Sequence, residues 1–273
     1  MRLDHYVGPM TELRGARVLL TGATGGLGGA IASALSSSGC DLVLTGRDRG
    51  VLERLASTTG ARTVAADLSD RRELEKLLEE AGELDIAVFN AAVPASGDLC
   101  AWEQGQIDRA LEINLAGPIA ATRALLPGML EARRGHLVYV SSLAGKVGSP
   151  GGALYSATKF GLRGFASGLR CDLHGSGVGC SVISPGFVRD AGMFADTGVA
   201  LPAGVGTVSP EQVAGAVIRA IRTNRAEIDV APVGLRLGAA LGGLAPGLAA
   251  HLQARIAGST SKMISQAQAG RRP

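Results

Sequence analysis

Cysteine is scarce in this 273-residue chain, and the four present (Cys40, Cys100, Cys171, Cys180) are scattered. With no CxxC pair and no Cys/His cluster, neither a disulfide framework nor a metal site is expected, and the thiols read as idle. Aromatic residues make up only 3% of the sequence, too few for base-stacking platforms. Charge of one sign is also lacking: 27 Lys and Arg face 24 Asp and Glu, for a net +3. That balance carries no electrostatic footprint for nucleic acid. No apolar run reaches the ~20 residues that span a bilayer. Residues 1–14 lack the apolar stretch of a secretory signal, so a cytoplasmic protein is expected. Hydrophobic residues at 46% exclude disorder as the overall state, and 40 glycines without a three-residue period exclude collagen.

What the chain does have is alternation. Seven short β-rich runs stand at 17–21, 41–45, 62–66, 84–89, 136–141, 180–184 and 227–231. Helical spacing fills 28–38, 71–81, 104–132, 155–173 and 210–223; in 71–81, Leu74, Leu77 and Leu78 share one face. Nearly unbroken apolar strands separated by helices imply an α/β fold. The expected form is a doubly wound, Rossmann-type parallel sheet of seven strands with helices on both faces. No linker or repeat divides it, so residues 1–273 read as a single domain. Beyond the last run, 232–257 is apolar with isolated Arg236, His251 and Arg255. This C-terminal extension suits a helical hairpin broken at Pro246, packed on the body, on a partner subunit or on a membrane surface. Residues 258–273 read as a frayed polar tail.

The first strand runs into Thr21-Gly22-Ala23-Thr24-Gly25-Gly26-Leu27-Gly28. Strand, glycine-rich turn and helix form an arrangement that lets a backbone approach a pyrophosphate and points helix N–H groups at it. The spacing is neither Gly-x-Gly-x-x-Gly nor a Walker loop, and by itself such a turn can be purely structural. The second strand ends in Thr45-Gly46-Arg47. A carboxylate there would hold a bare ribose 2′-OH; glycine followed by arginine instead suits a 2′-phosphate, which favours NADP while leaving NAD open. A solvated surface Arg47 is the plain alternative. After the third strand, Asp67 and Leu68 can flank the adenine, or Asp67 or Ser69 can cap the next helix.

Tyr155 and Lys159 stand at i and i+4, on one helical face. A phenol has a reference pKa of ~10. An ammonium one turn away and a positive nicotinamide would lower it toward the range needed for proton transfer. Such pairs also occur by chance. Ser141 and Ser142 end the fifth strand at the edge where ligands bind in these sheets, though a serine there also caps loops. Asn114 is a polar residue in an apolar helical run, which requires a specific partner or water; a satisfied core amide is the plain alternative. Asn90 ends the fourth strand ahead of Ala91 and Ala92.

Together these residues resemble the short-chain dehydrogenase/reductase family, from about residue 15 to 231. The likeness is carried by Thr21-Gly22-x-x-x-Gly26-x-Gly28, Asn90-Ala91, Asn114, Ser142, Tyr155-x-x-x-Lys159 and Pro185-Gly186. It implies NAD(P)-dependent interconversion of a carbonyl and a secondary alcohol by an Asn114–Ser142–Tyr155–Lys159 tetrad. By that resemblance Tyr155 is the general acid/base and Ser142 holds the substrate oxygen. Lys159 lowers the tyrosine pKa and binds the nicotinamide ribose, and Asn114 positions a relay water. The dinucleotide would lie against Thr21, Gly22, Thr24, Gly25, Gly26, Leu27, Gly28, Arg47, Asp67, Leu68, Asn90, Ala91, Ala92, Tyr155, Lys159, Pro185, Gly186 and Val188. Two departures stand out: Ala92 replaces the usual third-position glycine, and Asp190 stands where a carboxamide-binding threonine is usual. The ending and apolar extension resemble the branch that includes hydroxysteroid-dehydrogenase-like proteins. Loops 93–102 and 191–208, the second carrying Met193, Phe194, Val199, Leu201 and Val205, are expected to cover an apolar ketone or aldehyde. The resemblance also implies a homodimer or homotetramer through 104–132 and 155–173. A catalytically silent dinucleotide-binding sensor or scaffold is the competing expectation.

Overall fold

The computed structural model describes residues 11–202, 205–245, 247, 250–251, 263–264 and 266–268. Seven strands form one parallel sheet in the order β3-β2-β1-β4-β5-β6-β7. They are β1 (Arg17–Leu20), β2 (Asp41–Gly46), β3 (Arg62–Ala65), β4 (Ile86–Phe89), β5 (Gly135–Val140), β6 (Val178–Pro185) and β7 (Glu227–Val230). Every strand is parallel to its neighbours, so all seven carboxyl ends lie along one edge. The order reverses between β1 and β4, and a crevice opens there because successive helices leave for opposite faces.

The period of two along the strands sorts their side chains into two cores. Val18, Leu20, Leu44, Ile86, Val88 and Val138 pack against α1 (Gly26–Ser37), α2 (Arg49–Thr59) and α7 (Pro210–Thr223). Leu19, Val43, Phe89, Leu137 and Tyr139 face α3 (Arg71–Ala81), α5 (Gly117–Glu131) and α6 (Ala153–Asp172). Both faces are covered, which is why the strands are apolar without alternation.

Some boundaries differ from those expected on sequence, for identifiable reasons. The span 104–132 is not one helix: α4 (Gln104–Leu111) passes through a π-helical turn (Glu112–Ala116) into α5. Pro118 lies in the first turn of α5 and brings no N–H to the carbonyl of Asn114 four residues back. α2 escaped the periodicity because only Leu52 of it is buried, although Asp48 caps its start (from Val51 N–H, 3.0 Å) and left-handed Gly60 ends it. The cap of α3 is Asp70, accepting from Arg72 N–H at 2.8 Å, rather than Asp67 or Ser69. α6 starts two residues before Tyr155.

The extension contributes α8 (Val233–Leu244). Pro246 and most of the chain after it, where the expected break, second hairpin arm and tail fall, lie outside the described residues. Among the described residues, no helix is long and apolar enough to cross a membrane. Nor do three or more His, Cys, Asp or Glu converge there as metal ligands.

One buried polar pair bears on stability. His136 in β5 is fully enclosed, with Nε2 2.8 Å from Ser181 Oγ, which donates to the Arg225 carbonyl at 2.6 Å. Burial, helped by the Arg170 charge, pushes the imidazole pKa down to about 3. The folded protein therefore holds His136 neutral where the unfolded chain protonates it. Stability should fall as pH drops from about 6.5 toward 3, by up to about 1.4 kcal/mol per unit. Urea denaturation at pH 7.5 and 5 should show this loss, and His136→Gln should flatten it.

Candidate active site

The glycine turn is built by backbone contacts no side chain would permit. Gly22 has φ +67°, and a Cβ on it would lie 2.6 Å from Ala91 Cα. A Cβ on Gly28 would strike the Gly22 carbonyl, so α1 seats directly on the turn. α1 begins after Gly25 with no side-chain cap, which leaves its first N–H groups available to an anion. The turn is tied to β4 by its neighbours. Thr21 Oγ1 accepts from the Asn90 and Ala91 amides, each at 3.1 Å. Asn90 Nδ2 donates to the carbonyls of Thr21 (3.2 Å) and Gly22 (3.0 Å).

Along the same edge, Gly46 ends β2 against Thr24: a Cβ at 46 would lie 2.6 Å from both Thr24 Cγ2 and Oγ1. A carboxylate side chain has no room there. Arg47 is exposed and, among the described residues, makes no ion pair or hydrogen bond. Asp67, after β3, is held by a residue that its sequence context did not single out, Arg109, together with Ser69. Its carboxylate accepts from Arg109 Nη2 at 2.6 Å and from the Ser69 hydroxyl and amide at 2.7 and 3.0 Å. Burial raises its pKa, but Arg109 and Ser69 outweigh that and hold it at about 2. Leu68 packs on the α3–α5 core.

Beyond the crevice lies a cavity of about 910 Å³. Of the residues singled out by sequence, Leu27, Asn90, Ala92, Ser142, Tyr155, Lys159, Pro185, Gly186 and Val188 line it. Thr21, Gly22, Thr24, Gly25, Gly26, Gly28 and Ala91 belong to the turn and its support; Arg47, Asp67 and Leu68 lie farther along the edge. Asn114 does not line the cavity. It is fully buried in the π-turn, accepts from Val93 N–H at 2.7 Å and donates to the Val93 carbonyl at 3.0 Å. Both ends of its amide are thus occupied. π-turns recur at functional sites because they displace one residue from the helical repeat.

The two serines have separate tasks. Ser141 is buried and donates to the Lys159 carbonyl at 3.1 Å, tying β5 to α6. Ser142 accepts from Ala144 N–H at 3.1 Å and donates to the Pro185 carbonyl at 3.4 Å. Lys159 is buried, with Nζ 3.0 Å from the Val140 carbonyl and 5.6 Å from the Tyr155 ring centroid. Burial lowers its pKa to about 8. The phenol does not become acidic as the i,i+4 spacing led one to expect. Burial pushes Tyr155 up to about 12, against the hydrogen bond with Ser142 that pulls it down. Desolvation is the leading cause in both groups, because each sits where water cannot stabilise its ion.

The segment after β6 explains the second departure. Asp190 takes φ +66°, its side chain is 70% exposed, and it pairs with Arg189 at 3.2 Å. It points to solvent, not into the cavity as a threonine with a ligand role would. Ala191 and Gly192 instead cover the glycine turn: a Cβ on Gly26 would lie 2.5 Å from Ala191 Cβ. Phe187, Met193, Phe194, Leu201 and Val205 line the cavity, and Leu235 and Ala239 of α8 add an inner wall. That last wall left no local signal, since it results from how α8 packs. Arg109 could have been suspected only as a cation on α4 turned toward β3.

The family model described as short chain dehydrogenase matches residues 16–199. The chain is 35% identical over 230 residues to ketoacyl reductase HetN of Nostoc sp., covering 81% of this chain and 80% of that one. It is 34% identical over 263 residues to dehydrogenase/reductase SDR family member 7B of Xenopus laevis, covering 88% and 78%. Among solved structures it is similar to a putative betaketoacyl-ACP reductase (TM-score 0.74, 30% identity, 82% and 100% covered). It is also similar to the closed form of serine dehydrogenase complexed with NADP+ (TM-score 0.72, 30% identity, 80% and 95% covered).

The Asn114–Val93 clamp is testable by itself. Asn114→Ala leaves a buried amide and carbonyl of Val93 without partners, at a cost of roughly 1–3 kcal/mol for each such group. Equilibrium urea unfolding should show that loss.

Proposed function

The chain belongs to the short-chain dehydrogenase/reductase family and is an NAD(P)-dependent oxidoreductase; on that premise we propose that it reduces an apolar ketone or aldehyde with NADPH, with Tyr155 as the proton donor. The observation that carries this reading is the meeting of Ser142, Tyr155 and Lys159 on the wall of one largely apolar cavity beside the glycine turn. The residues fit a dinucleotide. The uncapped start of α1 suits a pyrophosphate, and Gly46 with exposed Arg47 suits a 2′-phosphate. The serine dehydrogenase to which the chain is similar was solved with NADP+. When bound, the cofactor supplies the hydride that goes to the carbonyl carbon.

The chain's own residues handle the oxygen and the proton. Ser142 donates to the substrate oxygen and orients it toward the phenol. Tyr155 gives its proton to that oxygen as the carbon–oxygen double bond becomes a single bond, which yields the alcohol. Burial keeps the phenol protonated, the form needed to donate; stabilising the phenolate left behind then falls to Lys159. Lys159, with a pKa near 8, can pass a proton onward at neutral pH. The Asn114 carbonyl, without an N–H from Pro118, is the acceptor for a water in that relay; the amide side chain, taken by Val93, is not. Apolar walls exclude bulk water and favour a lipophilic substrate.

A panel of ketones and aldehydes with NADPH and NADH, followed by absorbance, tests the reaction. Tyr155→Phe should still bind NADPH by fluorescence titration yet lose about 10²- to 10⁴-fold in turnover. Wild-type rates in that variant would remove Tyr155 from the chemistry. Arg47→Ala should weaken NADPH roughly tenfold or more and leave NADH unchanged, since a charge-assisted contact to a phosphate is lost.

A further inference from the structure

α8 is apolar on nearly every side, yet among the described residues protein covers only one of them. Leu235, Ala239 and Gly242 turn inward and line the cavity. Outward, Val233 (67% exposed), Leu237 (59%), Leu241 (64%) and Leu244 (83%) follow one another at i, i+4, i+8 and i+11, in a single stripe. Leu241 and Leu244 also line the cavity, so they stand at its rim. A helix apolar all round belongs in a core or in lipid. With 12 residues this one is about 18 Å long, too short for a hydrocarbon layer of about 30 Å. It can lie in a membrane interface but not cross it.

Charge indicates which surface would take it. Of the 27 Lys and Arg, 22 precede residue 230, together with all 24 Asp and Glu. The last 44 residues hold Arg236, Arg255, Lys262, Arg271 and Arg272 and no carboxylate side chain. Arg236 stands exposed on α8 beside the apolar stripe. Apolar surface together with cations of one sign complements a layer of anionic headgroups over hydrocarbon.

We propose that the outer face of α8 docks on an anionic phospholipid bilayer, with the helix lying in the interface and the cavity rim turned toward the lipid. Val233 and Leu237 enter the acyl boundary, and Arg236 meets the phosphates. If the cavity takes an apolar carbonyl compound, as proposed above, such a substrate passes from lipid to Tyr155 along Leu241 and Leu244. That consequence rests on the proposed reaction; the docking does not.

Co-sedimentation of the full chain with vesicles decides the matter without reading turnover, so its failure and that of the reaction are separate outcomes. Vesicles of phosphatidylcholine alone are compared with vesicles containing about one-third phosphatidylserine. The protein should pellet with the anionic vesicles, and raising salt to about 1 M should release most of it. The double variant Val233→Ser/Leu237→Ser, which alters no cavity residue, should lose about tenfold or more in partitioning with its circular dichroism and Tm unchanged. Equal binding to neutral vesicles, retained binding by the variant, or no binding by the wild type would each overturn the proposal. So would a dimer in gel filtration that the variant dissolves while vesicles capture nothing, which would assign the stripe to a second copy of the chain.

Discussion

The joint between β1 and β4 governs the rest of the molecule. These strands meet at the reversal of strand order, and their ends are locked together by a threonine hydroxyl accepting two amides and an asparagine amide spanning two carbonyls. The lock leaves so little space that residue 22 must lack a Cβ. Because the turn is rigid, the start of α1 is aimed and its N–H groups stay unspent. Everything later in the chain that touches the crevice is placed relative to this joint: Ser142 at the end of β5, Tyr155 and Lys159 on α6, and the segment after β6.

Beside the joint, burial and charge oppose each other. Tyr155 and Lys159 are neighbours on α6, and a through-space view would have the ammonium favour the phenolate. Their surroundings work the other way, because burial is the leading cause of both shifts and penalises each ion. Burial thus keeps the phenol protonated and brings the lysine pKa down to about 8. The clamp of Asn114 on Val93 acts through the backbone. It fixes the loop after β4 from the π-turn that joins α4 to α5.

The apolar cavity joins this chemistry to the outer surface through α8. One side of that helix is a pocket wall, and the other exposes Val233 and Leu237. Arg236 stands exposed on the same helix.

Much of this was legible in the sequence. Short apolar runs between helical repeats sufficed for the parallel, doubly covered sheet, since burial on both faces leaves no other pattern. The order of the glycine turn, Asn114, Ser142 and the tyrosine–lysine pair carried the family, because local backbone geometry and helical spacing are written in adjacent residues. Other features depended on contacts between residues far apart in the chain. The hold of Arg109 on Asp67, the outward turn of Asp190, the cover laid by Ala191 over Gly26 and the inner wall made by α8 each join segments that no periodicity relates. The direction of the Tyr155 and Lys159 shifts belongs with them: desolvation depends on what surrounds a group from every side, and only the packed molecule defines that.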